Sequence, residues 1–288
     1  MHADVSWGHS PGESPMSTPS EELQRTFTKG IAENYDRYLG PAWFGPIAHD
    51  LADRLPDDPG GDVLEVACGT GLMTRRLRER VDPSRRLVAT DQSQPMLDYA
   101  KSRLAGVPGI EWMKADALDL PFPDAAFAAL ACSLGVMFPA AKERLFAQFR
   151  RVLAPGGLLL FNVWDAKPLN TCVRIYSDVI EGLFPGDPEM QFDVPYSMHD
   201  VARLRELVAG AGFGEAKIEK VPITVVAPSA RDIATGQVRG TPRGLLLTRR
   251  GVDLDDAIDR VTAALERECG AGPGFRATGQ VIAVEARA

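Results

Sequence analysis

Two hydrophobic periods divide this chain. Phe27, Ile31, Tyr35, Tyr38 and Leu39 recur at helical spacing, and Pro41 is expected to break the run. Trp43, Phe44, Ile47 and Leu51 start a second helix. From residue 62 the pattern alternates. Short apolar runs at 62–67, 86–90, 110–114, 126–132 and 158–163 read as strands. Between them, 70–80, 93–104 and 142–153 carry apolar residues on one helical face, as Leu145, Phe149 and Val152 do. Pro155, Gly156 and Gly157 are expected to end the last of these helices. Residues 165–200 interrupt the rhythm with four prolines and the aromatics Tyr176, Phe184, Phe192 and Tyr196, a pattern expected to be ordered. A helix at 201–212, a strand at 216–226 broken by Pro222, a helix at 253–269 and an alternating strand at 280–287 complete the chain.

Strands alternating with helices predict an α/β fold. A doubly wound, mostly parallel sheet, Rossmann-like, would carry helices on both faces. Residues 1–20, rich in Gly, Pro and Ser, are expected to form a disordered tail. Residues 21–56 form an N-terminal helical segment, and 57–288 the main domain.

Composition narrows the function. Lys plus Arg is 32 against 39 for Asp plus Glu, a net charge of −7, with no basic block. That points away from a nucleic-acid partner. Four scattered cysteines (Cys68, Cys132, Cys172, Cys269) make no C-x-x-C and no zinc spacing with histidine, so no metal is expected. Reduced thiols suit the cytoplasm. No apolar run reaches membrane-spanning length, and the N-terminus lacks a secretory pattern.

The candidate chemistry begins at 63–72, V-L-E-V-A-C-G-T-G-L. Gly69 and Gly71 allow a sharp strand-to-helix turn and close backbone approach to a ligand. The helix N-terminus beyond them offers free N–H groups. A dinucleotide fingerprint wants a third glycine, and Thr74 stands there. That departure, with no hydride-site pattern, argues against a nicotinamide dehydrogenase. Asp91 ends the second strand 22 residues past Gly69, the place of a carboxylate that accepts both ribose hydroxyls. Asp116, beside Ala117 after the third strand, could accept from an adenine amino group. All lie at C-terminal strand ends, where open α/β sheets bind ligands.

Together, E-V-A-C-G-T-G (65–71), A-T-D-Q-S (89–93), A-D-A-L-D-L-P-F (115–122) and R-V-L-A-P-G-G (151–157) resemble the class I S-adenosylmethionine-dependent methyltransferases. The resemblance covers about 60–165 plus the last two strands, and implies a seven-stranded sheet. It places cofactor contacts on Glu65, Ala67, Gly69 and Gly71, on Asp91 and Gln92, and on Asp116 and Ala117. Met96 would pack near the adenine, and Cys132 and Ser133 would face the methyl-donor centre. Tyr35-Asp36 matches a Tyr-Asp pair in the helical lid of the ubiquinone/menaquinone-biosynthesis-like small-molecule group. The lid would comprise 21–56 and an insertion at about 165–200. After the fourth strand the chain reads A-C-S-L-G-V-M-F, without the Asn/Asp-Pro-Pro-Tyr of exocyclic-amine methyltransferases.

The implied reaction is methyl transfer from S-adenosylmethionine to a small apolar or aromatic acceptor, leaving S-adenosylhomocysteine. Tyr38 on the lid stripe and His199 after the aromatic insertion are the candidate catalytic residues. A homodimer is left open. The same cofactor fold could instead serve a cyclisation or decarboxylation, or a non-catalytic partner subunit.

Overall fold

The computed structural model describes residues 28–288; the expected tail at 1–20 lies outside them. Seven strands form one sheet in the order β3-β2-β1-β4-β5-β7-β6. The strands are β1 (Val63–Val66), β2 (Leu87–Asp91), β3 (Ile110–Lys114), β4 (Phe127–Ser133), β5 (Leu153–Trp164), β6 (Lys217–Ala227) and β7 (Phe275–Arg287). The first five run parallel, and β7 is antiparallel to both β5 and β6. Strand order reverses between β1 and β4, so the C-terminal ends of those strands open a crevice there.

The N-terminal segment is one unbroken helical run rather than two helices. Helix α1 (Lys29–Asn34) passes into a π-helical stretch, Tyr35–Phe44, and then into α2 (Gly45–Asp53). Pro41 sits inside the π-helical stretch instead of ending it. In this wider turn the Gly45 N–H reaches back five residues to the Gly40 carbonyl, and Pro41, with no N–H to give, is carried within the stretch. Arg54, just beyond α2, fixes the run to the far edge of the sheet. Its guanidinium lies 3.0 Å from Asp50 and, across the chain, 3.0 Å from Glu219 on β6 and Glu285 on β7.

Two apolar layers sandwich the sheet. On one face Val63, Ala129, Ala131, Leu158 and Leu160 meet Leu51 and Leu55, with α3 (Leu72–Arg80) contributing Met73 and Leu77. On the other, Leu130, Leu159, Phe161 and Val163 meet α5 (Lys142–Val152) through Phe146 and Phe149. Helix α4 (Gln94–Arg103) follows β2, and Ser93 caps it by accepting from the Met96 N–H.

Two local expectations are corrected, and the insertion proves ordered as expected. Strand β5 begins at Leu153 and carries Pro155-Gly156-Gly157 within it, with a register shift against β4. Pro222 does not break β6, because β6 is the sheet edge and a missing N–H there faces no neighbour. The insertion holds a regular helix, α6 (Thr171–Leu183), before α7 (Val201–Gly210). Beyond β6, α8 (Ala230–Arg239) and α9 (Arg243–Arg249) occupy a stretch with no clear helical reading, ahead of α10 (Leu254–Cys269).

Candidate active site

The turn after β1 is tightly wound. Ala67 has φ +57° and Gly71 φ +80°, left-handed conformations that cost a non-glycine residue about 1–2 kcal/mol. A side chain at Gly71 would also meet Leu104 Cδ1 at 3.0 Å and Ala100 Cβ at 3.3 Å. The turn is braced by Asp91: one carboxylate oxygen accepts the Gly69 N–H at 2.9 Å, the other the Ser93 N–H at 2.7 Å. Each oxygen keeps a further lone pair for a hydroxyl. Burial pushes the Asp91 carboxyl up, against the opposing pull of its backbone donors. The 22-residue spacing seen in the sequence is thus a direct bond between the second strand and the turn.

Glu65 lies beneath, 1% exposed, and neither carboxylate oxygen has a hydrogen-bond partner among the described residues. Burial pushes its carboxyl up to about 8; the nearby Thr74 hydroxyl only partly offsets this, and the Asp91 charge adds to it. The hydroxyls of Thr70 and Thr74 are also buried and unpartnered. Buried polar groups are rarely left unpaired, so this cluster fits a ligand that brings its own donors. The ammonium of S-adenosylmethionine is such a donor, and its ribose hydroxyls suit Asp91. The residues therefore fit the cofactor that the resemblance implies.

Around this core the other expected residues fall into place unevenly. Met96 is buried and Gln92 exposed on either side of Ser93. Asp116 is exposed, and one oxygen accepts the Leu118 N–H at 2.9 Å, which turns the chain so that the half-buried Ala117 follows. Cys132 is buried; its thiol is pushed up to about 12 by burial, despite backbone donors at Gly135 and Val136. The Cys68 thiol is raised well above its ordinary value by burial and the neighbouring Asp91. Neither thiol is a nucleophile at neutral pH.

The N-terminal run reaches this site. Tyr35 stacks on Phe44 at 4.4 Å, and burial with the charges of Asp36 and Asp91 raises its hydroxyl. Asp36 bridges to α4, accepting from the Tyr99 hydroxyl at 3.1 Å and pairing with Arg103 at 2.9 Å. Tyr38 and His199 have other partners. Tyr38 Cβ lies 2.8 Å from where a Gly236 Cβ would stand, and Arg37 lies over its ring at 5.2 Å. His199 is exposed, its Nδ1 2.7 Å from the Tyr196 carbonyl. Neither has a hydrogen bond or ring contact to the cofactor-side residues among those described, so neither is given a chemical step below.

Two residues carry no motif that would mark them in the sequence. Leu134 has φ +53°, and its N–H donates to Asn162 Oδ1 on β5 at 2.8 Å. Gly135 follows, where a Cβ would stand 2.6 Å from Ala67 Cβ and 2.7 Å from Cys132 Sγ. The loops after β1 and β4 thus touch through a glycine, a contact no local pattern announces. Gly135→Ala is expected to force them apart and weaken S-adenosylhomocysteine binding at least about tenfold, a 1.4 kcal/mol effect in keeping with overpacking. Calorimetric titration of the folded variant checks this, and an unchanged Kd contradicts it.

An outer groove of about 650 Å³ between the N-terminal run, α3 and α4 is lined by Arg37, Arg75, Arg76 and Arg103. Its charges are largely spent within the protein: Arg76 pairs with Asp53 and Glu79, and Arg103 with Asp36. It does not include the turn after β1.

Comparison with known proteins agrees with this geometry. A methyltransferase-domain family profile matches residues 63–157. The demethylmenaquinone methyltransferase of Symbiobacterium thermophilum is 30% identical over 172 residues, covering 57% of this chain and 68% of that protein. The ubiquinone/menaquinone biosynthesis C-methyltransferase of Hahella chejuensis is 34% identical over 173 residues, again 57% and 68%. Among solved structures, phosphoethanolamine N-methyltransferase 2 of Haemonchus contortus, in complex with S-adenosyl-L-methionine, aligns with a TM-score of 0.60 at 16% identity. That alignment covers 94% of this chain and 60% of that one, and shows a shared fold.

Proposed function

Because the chain belongs to the class I S-adenosylmethionine-dependent methyltransferases, in the group of the ubiquinone/menaquinone C-methyltransferases, we propose that it methylates a ring carbon of a small hydroxylated aromatic acceptor. The observation that carries the site assignment is the unpartnered, buried Glu65 carboxylate beneath an Asp91-braced turn. In this reading Glu65 takes the cofactor's ammonium, Asp91 the ribose hydroxyls, and Asp116 and Ala117 the adenine. When bound, the cofactor supplies a methyl group already activated on a sulfonium.

The acceptor class follows from the walls. Tyr35, Phe44, Trp164 and Tyr196 form a chain of ring contacts at 4.4, 6.1 and 6.4 Å, running from the Asp91 side to the insertion. Such walls suit a planar ring. The relatives' printed names give the same class, quinone-related acceptors. Trp43, Trp164, Ile223 and Val225 line a space of only about 10 Å³, too small for an acceptor. In this reading the run over 28–56 and the insertion at 165–200 act as a lid that separates for entry and closes for reaction. Closure excludes water and aligns the acceptor carbon with the sulfur–methyl bond, a positioning effect able to supply about 7–11 kcal/mol. The acceptor's own hydroxyls push electrons to the ring carbon. That carbon gains the methyl and loses a proton, while sulfur keeps the electron pair of the broken bond.

The acidic charge of −7 favours a small molecule over nucleic acid, and four unpaired thiols favour the cytoplasm. No helix among the described residues is long and apolar enough to cross a membrane. The test is direct. Protein incubated with S-adenosylmethionine and 1,4-naphthalenediol is expected to yield S-adenosylhomocysteine and a ring-methylated product in equal amounts. A cyclised or decarboxylated product, without a methyl gain, would favour the other use of the fold.

A further inference from the structure

Asn162 is buried on β5 with 0% exposure, and its side chain is half used. Oδ1 accepts from the Leu134 N–H at 2.8 Å and from the Ser133 hydroxyl at 3.2 Å. Those donors fix which end of the amide is oxygen, since a reversed amide would set two donors face to face. Nδ2 is left buried with no partner among the described residues. A buried amide donor without an acceptor costs about 1–3 kcal/mol unless something arrives to take it.

Its place in the sheet says what could arrive. Glu65 pairs with Ala131, Ala131 with Leu160, and Ser133 with Asn162. Alternation along the strands then puts Asn162 on the same face as Glu65, one step nearer the C-terminal edge and two strands across. Trp164, two residues on, shares that side of β5 and lines the small space with Trp43. The Trp43 Nε1 is a second buried donor without a partner. Two buried donors on this side of the molecule are thus unspent: Asn162 Nδ2, on the Trp164 face of β5, and Trp43 Nε1, beside Trp164.

We propose that Asn162 is a specificity-determining residue for the acceptor: with Oδ1 committed to Leu134, its Nδ2 donates to an acceptor ring oxygen. The inference rests on the acceptor reading above and adds to it the residue that selects for that oxygen. It also explains why a polar residue occupies a strand otherwise built of Leu, Phe, Val and Trp around it.

Asn162→Asp keeps an oxygen for Leu134 while replacing the donor. The assay uses wild type and Asn162→Asp with two acceptors, 1,4-naphthalenediol and 1-naphthol, which lacks one hydroxyl. The variant's kcat/KM for the diol is expected to fall about ten- to one-hundredfold, the usual consequence of a lost buried hydrogen bond. Its loss for 1-naphthol is expected to be several-fold smaller, since one oxygen is already missing. S-adenosylhomocysteine affinity should stay within about twofold. Lowering the pH should restore part of the variant's activity, because the substituted carboxyl, once protonated, can donate again, whereas a purely structural role gives no such rescue. Equal losses on both acceptors, or a loss of cofactor affinity to match, would overturn the assignment. If Asn162→Asp does not fold, Asn162→Ser enters the same comparison. Methylation of neither acceptor by wild type would overturn the acceptor reading itself, and this inference with it.

Discussion

Glu65→Gln is expected to remove a fall in stability that the cofactor-free wild type should show between pH 5 and 8. The folded Glu65 carboxyl titrates near 8 because burial penalises its charged form, whereas its ordinary value is 4.5. Between those values the unfolded chain has lost a proton that the native state retains. Unfolding is then favoured by rising pH, with a slope of about 1.4 kcal/mol per pH unit for a single group. The contribution is full below the ordinary carboxyl range and is lost as pH climbs through it towards 8. Glutamine cannot ionise, so its melting temperature should be nearly flat over that window and exceed wild type at pH 8. The same substitution should weaken S-adenosylhomocysteine binding about ten- to one-hundredfold, since the carboxylate that meets the ammonium is gone. Wild type should release close to one proton on binding at pH 7, and the variant none. Melting curves across pH, with calorimetry in two buffers of different ionisation enthalpy, read both effects. A wild type whose stability rises from pH 5 to 8 would show that Glu65 is not held neutral.

Asp91→Ala should cost more in binding and less in pH dependence. The carboxylate braces Gly69 and Ser93 through their N–H groups, so its loss leaves two donors of the turn unpaired. Stability should fall by about 1–3 kcal/mol. Cofactor affinity should fall about a hundredfold or more, because two charge-assisted hydrogen bonds to ribose are lost together with the shape of the turn. Asp91→Asn, which can still accept one N–H, should recover most of the stability but little of the affinity. A variant that binds S-adenosylhomocysteine like wild type would remove Asp91 from the site.

These two residues were visible in the sequence because their roles follow from local order. A strand, a glycine turn and a carboxylate ending the next strand recur at fixed spacing, and parallel pairing of β1 with β2 sets Thr90 beside Val66. The strands from β1 to β4 were legible for the same reason: each is a short apolar run closed by a turn. The rest depends on what meets what. Pro41 looked like a helix end because helix rules assume α-helical bonding, and in the π-helical stretch its absent N–H would serve a different carbonyl. Helix α6 was hidden among prolines and aromatics, although Cys172, Ile175, Tyr176 and Ile180 form its buried stripe. Gly135 carries no signal of its own; it is required by Ala67, far back along the chain, and by Cys132. Asn162 in a strand of apolar residues was the one local oddity that could have been noticed. Its meaning needs the β4–β5 register, which places it beside Ser133. Tyr38 and His199 fitted a functional stripe by spacing and residue type, and among the described contacts Tyr38 meets Arg37 and His199 the Tyr196 carbonyl.

The most direct test of the cofactor site is a titration of the folded wild-type chain with S-adenosylhomocysteine. Saturable one-to-one binding is expected, with proton release near pH 7 and a stabilisation of about 2.7 kcal/mol at roughly one hundred times the dissociation constant. A folded, ligand-free protein whose melting temperature does not move, and which takes up no ligand at millimolar concentration, would contradict the assignment of Glu65 and Asp91 as the cofactor site.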